Sequence, residues 1–266
     1  MPSASGPTDS GWVRRAAKRL LSERAFVRLR RPYRRARAWP PVGMVQFGSL
    51  RRLTPFSRAF GSDRGHPIDR YYIDHFLDRH AGAAGYAPSA IRGRVLEVGE
   101  SQYTRGFGDQ AAVESVDILD ASDSNPDATI VADLADGEGI PSERFDCVIC
   151  TQTLLLIYDL KSAVHNLHRT LKPRGTLFVT VPGISQICRP DMDVWGDHWR
   201  FTTASARRLF EEVFAAEDVW VESYGNVLTS AAFLYGLSTE DLRRSELDLR
   251  DPDYQLLIAV KAVKGR

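Results

Sequence analysis

A glycine and three carboxylates have the types and spacing that nucleotide binding requires. Residues 95–101, VLEVGES, form an apolar run that contains Glu97 and Gly99, and Asp117 and Asp120 follow 18 and 21 residues after the glycine. Glycine lets the chain turn tightly after a buried strand, and doubly wound sheets bind nucleotides beyond the carboxyl ends of their strands. A carboxylate after the next strand can accept hydrogen bonds from both ribose hydroxyls. The spacing therefore predicts a cofactor site, and it leaves open which aspartate holds the ribose.

A second group of polar and aromatic side chains lies in residues 189–203, RPDMDVWGDHWRFTT. We expect this segment to pass over the reaction crevice, because it follows the apolar run GTLFVTV. Its carboxylates, histidine, arginine and two tryptophans suit an acceptor with many hydroxyls and apolar faces. Trp195, Trp199 and Arg200 are therefore candidate substrate contacts. The alternative is a rigid connection in which the tryptophans fill the core and the arginine pairs with a carboxylate.

The cysteines and two neighbouring histidines do not indicate a metal site. Cys147 and Cys150 have the CxxC spacing, but they lie in an apolar run, where an odd separation places two strand residues on opposite faces. Core packing is therefore the better interpretation. His165 and His168 are three residues apart on a predicted helix, with no clear third ligand. We predict no metal.

The elements that must position these residues alternate between short apolar runs and amphipathic helices. Seven runs read as strands, beginning at RVLEV and ending at YQLLIAVKAV, and helices are predicted over residues 68–80, 159–171 and 203–214. This alternation predicts an α/β fold, a Rossmann-like doubly wound sheet of seven strands. The sheet is expected to be mostly parallel, with an antiparallel final strand.

Charge divides the chain into two parts. Residues 1–55 hold 13 lysines and arginines against two acidic residues, a net charge of +11, whereas the rest carries 22 against 32, a net charge of −10. The composition is otherwise that of a globular domain, with no apolar run of membrane-spanning length and no secretory signal, so we expect a cytoplasmic protein. We predict a basic arm over residues 1–39, a linker and lid over 40–90 and the main domain over 91–266.

The basic arm is the candidate contact with a large partner. Residues 11–39 combine arginines with Trp12, Leu20 and Val27 at a partly helical spacing, which is typical of a helix on an anionic membrane surface. Such a contact would make the protein peripheral to the membrane. The alternative is a solvated arm that packs on the acidic domain. Nucleic-acid binding is less favoured, because no recognisable nucleic-acid fold surrounds the arginines.

Residues 91–182 resemble the class I S-adenosylmethionine-dependent methyltransferases. The resemblance rests on five motifs in order: the loop VLEVGES, SVDILD, VADL, FDCVICTQTL and LKPRGTLFVTVPG. It implies S-adenosylmethionine as the cofactor. It also implies these positions: Glu97 and Gly99 against the methionine moiety, Asp117 or Asp120 on the ribose, Asp133 with Leu134 beside the adenine, and Thr151 with Gln152 facing the sulfonium.

Two further cofactor contacts follow from the same resemblance. Ser101 replaces the second glycine of the family's loop, and its hydroxyl can donate to the carboxylate of the cofactor. Residues 63–72 precede the first strand, as lid elements of the family do. Tyr71 or Tyr72 would cap the sulfonium by cation–π attraction, and Arg64 or Arg70 would bind a carboxylate or phosphate. Ordinary helix capping and packing is the alternative for this segment.

The acceptor is expected to be a hydroxyl group, on a sugar or glycoconjugate. This expectation rests on the similarity of residues 47–110 and 183–203 to methyltransferase-like proteins associated with glycan assembly. Methyl transfer to a hydroxyl requires alignment and removal of one proton. His198 is the first candidate base, and Asp191, Asp193 and Asp197 are the alternatives.

Two other functions remain open on the sequence. A catalytically silent methyltransferase-like scaffold, recruited through its basic arm, would also account for Ser101 in the loop. A nicotinamide-dependent oxidoreductase needs glycines at the first, third and sixth loop positions. Gly99, Ser101 and Thr104 satisfy only the first, so this function ranks last.

Overall fold

The computed structural model describes residue 40, residues 44–81 and residues 89–266. The predicted arm over residues 1–39 lies outside the described residues, so its helix and its partner stay predictions. The chain divides into two compact units, Met1–Leu53 and Thr54–Arg266. The described part of the first unit includes a 3-10 turn, Gly48–Leu50.

Seven strands of the second unit form one sheet. Their bounds are β1 Gly93–Val98, β2 Val113–Asp120, β3 Ile130–Val131, β4 Phe145–Thr151, β5 Leu171–Pro182, β6 Val219–Tyr224 and β7 Leu257–Val263. The strands lie in the order β3-β2-β1-β4-β5-β7-β6. Strands β1 to β5 are parallel, and β7 lies antiparallel between β5 and β6. The predicted fold class is therefore confirmed, including the antiparallel final strand.

Helices connect the strands, and side-chain caps fix where several of them begin. Their bounds are α1 Ile68–Ala81, α2 Gln102–Phe107, α3 Leu160–Thr170, α4 Arg189–Val194, α5 Thr203–Glu211, α6 Val227–Leu234 and α7 Arg244–Leu247. Asp159 accepts a hydrogen bond from the Ser162 amide at the start of α3, and Thr202 and Ser205 form a capping box at the start of α5. None of the described helices is long and apolar enough to cross a membrane.

The sheet separates two apolar clusters, because alternate residues of a strand face opposite sides. Cys147 packs into the cluster that contains α1, and Cys150 packs into the cluster that contains α3 and α5. Burial raises the pKa of both thiols, that of Cys150 to about 12. The prediction that these cysteines pack in the core is confirmed.

The two histidines of α3 have different surroundings. His165 is exposed, and the ring of His168 packs edge-on against Phe214 at 4.8 Å. Burial lowers the pKa of His168. Among the described residues, no group of three or more His, Cys, Asp or Glu could hold a metal ion.

A nearly buried carboxylate on β6 joins the sheet to α1 and to the segment before β7. Glu222 accepts hydrogen bonds from the Tyr224 hydroxyl at 2.6 Å and from Arg250 Nη1 at 2.8 Å, and His80 Nε2 lies 3.0 Å from its Oε1. Although burial alone raises the pKa of Glu222, these donors lower it to about 2. The ionised form is therefore strongly stabilised in the folded chain.

Replacement of this carboxylate should destabilise the protein in a pH-dependent way. For Glu222→Gln we expect a loss of about 3 kcal/mol in the free energy of unfolding at neutral pH, because Arg250 loses its buried partner. The folded pKa lies below the unfolded one, so the stabilisation is complete above the unfolded pKa and is lost as pH falls toward the folded pKa. The difference in the free energy of unfolding between wild type and variant should narrow by about 2 kcal/mol between neutral pH and pH ~3.

Urea unfolding at the two pH values measures this gap, and Glu217→Gln is the matched control. Glu217 is an exposed carboxylate in the 3-10 turn before β6. A Glu222→Gln variant as stable as the Glu217→Gln variant at neutral pH would contradict the assignment.

Candidate active site

A cavity of about 720 Å³ opens beyond the carboxyl ends of β1, β2 and β4. This is the edge at which parallel strands of doubly wound sheets place their ligand-binding loops. Most of its lining comes from the segments that directly follow these strands, together with α1 and α4. The polar, aromatic and glycine residues that bear on the site are Arg70, Glu97, Gly99, Glu100, Gln102, Tyr103, Asp120, Asp133, Thr151, Gln152, Tyr158, Asp159, Asp191, Trp195 and His198, and Leu134 lines it beside Asp133.

The carboxylate of Glu97 fixes the loop between β1 and α2. Its side chain is 2% exposed and accepts hydrogen bonds from the amides of Tyr103 and Thr104, at 2.9 and 2.8 Å, and from the Thr104 hydroxyl at 2.6 Å. Burial raises the pKa of Glu97, whereas the three donors oppose that rise. The first amides of α2 therefore have a partner inside the protein, and the loop is held against the end of β1.

Gly99 is the position in this loop where a glycine is needed. Its φ is +89°, and a Cβ built there meets no atom within 4 Å, so open space lies beside the backbone. Ser101 has a φ of −108°, which any residue adopts, and its side chain makes no capping hydrogen bond. Ser101 is outside the lining of the cavity, whereas Glu100 and Gln102 on either side of it line it. The serine is therefore compatible with the turn.

The structure separates the two aspartates of β2. Asp120 lines the cavity and accepts hydrogen bonds from the Ser122 amide and from Asn125 Nδ2, which also donates to the carbonyl of Gly99 at 2.7 Å. Asp117 is outside the lining; it accepts from the Thr129 hydroxyl and lies 3.7 Å from Arg144. An odd separation on a strand places the two carboxylates on opposite faces.

The other residues that the sequence places beside a cofactor also line the cavity. Asp133 accepts from the Ala135 amide at 2.7 Å, and Leu134 is buried. Thr151 ends β4, and Gln152 follows it with a φ of +50°, a left-handed conformation that is rare for a residue with a side chain. Such strain is concentrated at functional sites.

The lid residues require a correction. Tyr71 donates its hydroxyl to Asp248, Tyr72 donates to the carbonyl of Leu247, and Arg64 pairs with Asp241 at 2.9 Å, so none of the three lies in the lining. Arg70 reaches the cavity instead, and its Nη1 donates to the hydroxyl of Tyr103 at 3.1 Å. Successive residues of a helix point about 100° apart, which is why Arg70 and its tyrosine neighbours face different surroundings. Tyr103 also lines the cavity, and the only signal for it in the sequence is its position just after the loop.

The segment after β5 divides between structural and cavity-facing residues. Arg200 forms an ion pair with Asp197 and donates to the carbonyl of Gln186, whereas Trp199 donates its indole N–H to the carbonyl of Ile157 at 3.0 Å. Asp193 lies 3.5 Å from Arg189. Four predicted site residues therefore lie outside the lining: Asp193, Asp197, Trp199 and Arg200. For Trp199 and Arg200 the rigid connection is the correct interpretation.

His198, Asp191 and Trp195 lie on the cavity side of the same segment. The amide of His198 donates to the carbonyl of Leu155 at 2.9 Å, and its ring meets Tyr158 edge-on at 5.4 Å. Tyr158 and Asp159 also line the cavity, and neither is predicted from the sequence. They follow β4, and their only sequence signal is that position.

Carboxylates dominate the charge of the lining. Among the described lining residues, Arg70 is the one arginine or lysine, against six carboxylates. A cavity lined mostly by one sign of charge attracts the opposite sign, so a cationic ligand is favoured. The six are Glu97, Glu100, Asp120, Asp133, Asp159 and Asp191.

Several solved structures share this fold. Phosphoethanolamine N-methyltransferase 2 from Haemonchus contortus, in complex with S-adenosyl-L-methionine, has a TM-score of 0.50 at 16% identity over 85% of this chain. The CurJ carbon methyltransferase has a TM-score of 0.50 at 12% identity over 78% of this chain. NodS from Bradyrhizobium japonicum, an N-methyltransferase in complex with S-adenosyl-L-homocysteine, has a TM-score of 0.48 at 12% identity over 76% of this chain and 90% of its own. The chain spans 61% and 58% of the lengths of the first two proteins.

Comparison of the sequence with family models identifies the family of the chain, whereas the solved structures show its fold. No curated protein sequence matches the chain. Residues 61–217, more than half of the chain, match the family described as methyltransferase domain. That match includes the loop after β1, the aspartates of β2 and the segment after β5. The chain therefore belongs to the methyltransferase domain family.

Proposed function

We propose that this S-adenosylmethionine-dependent methyltransferase methylates a hydroxyl group on a sugar or glycoconjugate. The observation that carries the proposal is that His198, a side chain able to accept a proton, lines the same cavity as the glycine loop after β1. Cofactor-side and acceptor-side residues thus share one space of about 720 Å³. Pockets that bind drug-sized ligands have volumes of roughly 300–1,000 Å³, so this cavity has the size that one cofactor molecule needs, and the acceptor would approach at its mouth.

The residues of the cavity fit the cofactor. The open space beside Gly99 admits a ligand close to the backbone, and the negative lining suits a sulfonium. Asp120 would accept hydrogen bonds from the ribose, and Arg70 would bind the carboxylate of the methionine moiety. Asp133 with Leu134 would border the adenine, and Thr151 with Gln152 would face the sulfonium. Bound S-adenosylmethionine supplies an activated methyl group, so the protein itself has to align the acceptor with that group and to remove one proton.

Proton removal is assigned to His198. A general base must reach the acceptor hydroxyl directly or through one water, and imidazole is the most common group for this role. The hydrogen bond from the His198 amide to Leu155 fixes its backbone, while its ring lies against Tyr158. Asp191 lines the same side and is the alternative base. Asp193 and Asp197 pair with Arg189 and Arg200 and do not line the cavity, which favours His198 and Asp191.

The surroundings of His198 favour a neutral, hydroxylated acceptor. The exposed rings of Tyr158 and Trp195 provide apolar surfaces for the C–H faces of a sugar. The carboxylates nearby would repel a phosphate or carboxylate group on the acceptor. Glycans without acidic groups combine hydroxyls with apolar ring faces, and they match both features.

The two aspartates of β2 test the placement of the ribose. Asp120→Asn should weaken binding of S-adenosylhomocysteine about ten- to a hundredfold, which corresponds to a lost hydrogen bond to a charged acceptor of about 1.5–3 kcal/mol. Asp117→Asn should bind as wild type does, because Asp117 is outside the lining. Isothermal titration calorimetry measures both affinities. Equal losses in the two variants would contradict the placement.

Arg70 is tested with a ligand that lacks the amino-acid part of the cofactor. Arg70→Met should weaken binding of S-adenosylhomocysteine about tenfold or more, because one charge-assisted contact is lost. Binding of methylthioadenosine, which has no carboxylate, should change little. Arg64→Met is the matched control, since Arg64 pairs with Asp241 away from the cavity. An equal loss for both ligands would indicate that Arg70 acts only by holding Tyr103.

The proposed chemistry is tested with S-adenosylmethionine that carries a labelled methyl group. Incubation with panels of neutral glycans, amino sugars and acidic glycans should place the label in an alkali-stable methyl ether of a neutral glycan. His198→Gln should lower the turnover about 10²- to 10⁴-fold, the usual contribution of a general base, and should keep the affinity for S-adenosylhomocysteine.

His165→Gln serves as the control, because His165 is an exposed histidine on α3 outside the cavity. Label found only in amines or in alkali-labile esters would refute the hydroxyl acceptor. Failure of the wild type to bind any cofactor would favour the silent scaffold.

A further inference from the structure

A second cavity, of about 280 Å³, lies at the opposite edge of the sheet from the first. It opens beside the amino ends of β1, β4 and β5, and the two linings have no described residue in common. Small-molecule sites span roughly 300–1,000 Å³, so a cavity of this size suits a small ligand. The lining residues on which its chemistry depends are Arg92, Asp146, Arg174 and Thr176.

A bulge in β5 brings Arg174 to this cavity. At one place β4 has one residue between two paired positions, whereas β5 has four, residues 172–175. Arg174 lies in this bulge with a φ of +66°, a left-handed conformation that is rare for a residue with a side chain. Its amide donates to the carbonyl of Lys264 at 2.8 Å, and the Lys264 amide donates to the carbonyl of Gly175 at 2.9 Å. The bulge is therefore held against the segment after β7, and bulges of this kind redirect a side chain.

The lining of this cavity has an excess of positive charge. Among the described residues, no carboxylate oxygen lies within 4.0 Å of the guanidinium of Arg92 or Arg174. The carboxylate of Asp146 is already bound, because its Oδ2 accepts hydrogen bonds from Lys172 Nζ at 2.7 Å and from the Arg94 amide at 2.9 Å. Two arginines without an ion-pair partner thus face one carboxylate whose charge is compensated by a lysine.

A nearly buried hydroxyl also lines this cavity. Thr176 is 9% exposed, and no described residue exchanges a hydrogen bond with its hydroxyl. The hydroxyl of Ser89, in the same lining, is by contrast satisfied: it donates to the carbonyl of Phe107 and accepts from the Ile91 amide. Because buried polar groups normally have a hydrogen-bond partner, the hydroxyl of Thr176 is available to a ligand in the cavity.

We propose that this second cavity binds a phosphate group, either the free ion or a phosphate ester of a small molecule. A phosphate group carries a charge of about −1.5 to −2 at neutral pH and three acceptor oxygens, which match two guanidinium groups and one hydroxyl in charge and in number. Guanidinium groups bind phosphate through paired hydrogen bonds. A carboxylate has one charge and two oxygens, so it would leave one of the three donor groups without a partner. The site is independent of the methyl transfer proposed above, because it lies at the other edge of the sheet.

Isothermal titration calorimetry of the full chain in a buffer without phosphate tests the proposal. Inorganic phosphate and glycerol phosphate should both bind, and acetate should bind about tenfold more weakly or less, because it loses a charge-assisted contact. A higher affinity for glycerol phosphate would assign the site to a phosphate ester, and an equal or lower one would assign it to the free ion. Saturation with S-adenosylhomocysteine should leave both affinities unchanged, since the two cavities are separate.

Variants of the lining locate the binding. Arg92→Met with Arg174→Met should weaken phosphate binding about a hundredfold, and Thr176→Val should weaken it about threefold. Both arginines are exposed, so the melting temperature of the double variant should stay that of the wild type. The matched control is Arg58→Met with Arg208→Met, two exposed arginines outside the lining, and it should bind phosphate as the wild type does.

Four results would overturn the proposal. The wild type might bind neither phosphate compound, or the double variant of the lining might bind them as tightly as the control variant does. Acetate that binds as tightly as phosphate would indicate attraction to surface charge alone. Loss of phosphate binding on saturation with S-adenosylhomocysteine would place the ion in the larger cavity.

Discussion

The hydrogen bonds around one buried carboxylate hold the loop between β1 and α2 in place at the cavity. Glu97, near the end of β1, accepts three hydrogen bonds from the start of α2. Loss of this acceptor would leave buried donors without a partner, at about 1–3 kcal/mol for each group. Gly99 lies between the two anchored ends, and its carbonyl is bound in turn by Asn125, which also contacts Asp120. The glycine turn and the carboxylate of Asp120 are thus one connected unit.

This connection explains how the loop accommodates a serine. The left-handed conformation falls on Gly99, where glycine avoids the steric cost. Ser101 comes one residue before α2, with an ordinary φ. The constraint that the fold imposes at this turn is a single positive φ beside open space, together with an acceptor for the helix amides. Both are present, so a second glycine is not needed for the backbone geometry.

The sequence was sufficient to predict the fold, because the alternation of strands and helices depends on short-range periodicity. Continuous apolar runs predicted β1 and β4, and the odd separation of Cys147 and Cys150 predicted their opposite faces. The choice between Asp117 and Asp120 was left open, since it depends on where β2 ends. The lid was assigned to Tyr71 and Tyr72, but the structure turns both side chains away from the cavity. The sequence could not show this, because the phase of α1 against the sheet comes from long-range packing. Their hydroxyls find partners near α7, some 175 residues later in the chain.

The acceptor side could not be predicted for a different reason: its charged residues were equally suited to binding and to structure. Asp197 has no exposed side-chain surface, and it accepts hydrogen bonds from Arg200 and from the Cys188 amide. A buried charge is tolerated only when it is paired and hydrogen-bonded, so this ion pair has a structural role in the segment after β5. The ion pair fixes the two ends of the turn that contains Trp195, while His198, next to Asp197, lies on the cavity side. The same rigid connection that removes Arg200 from the substrate contacts therefore positions the histidine that the proposed chemistry requires.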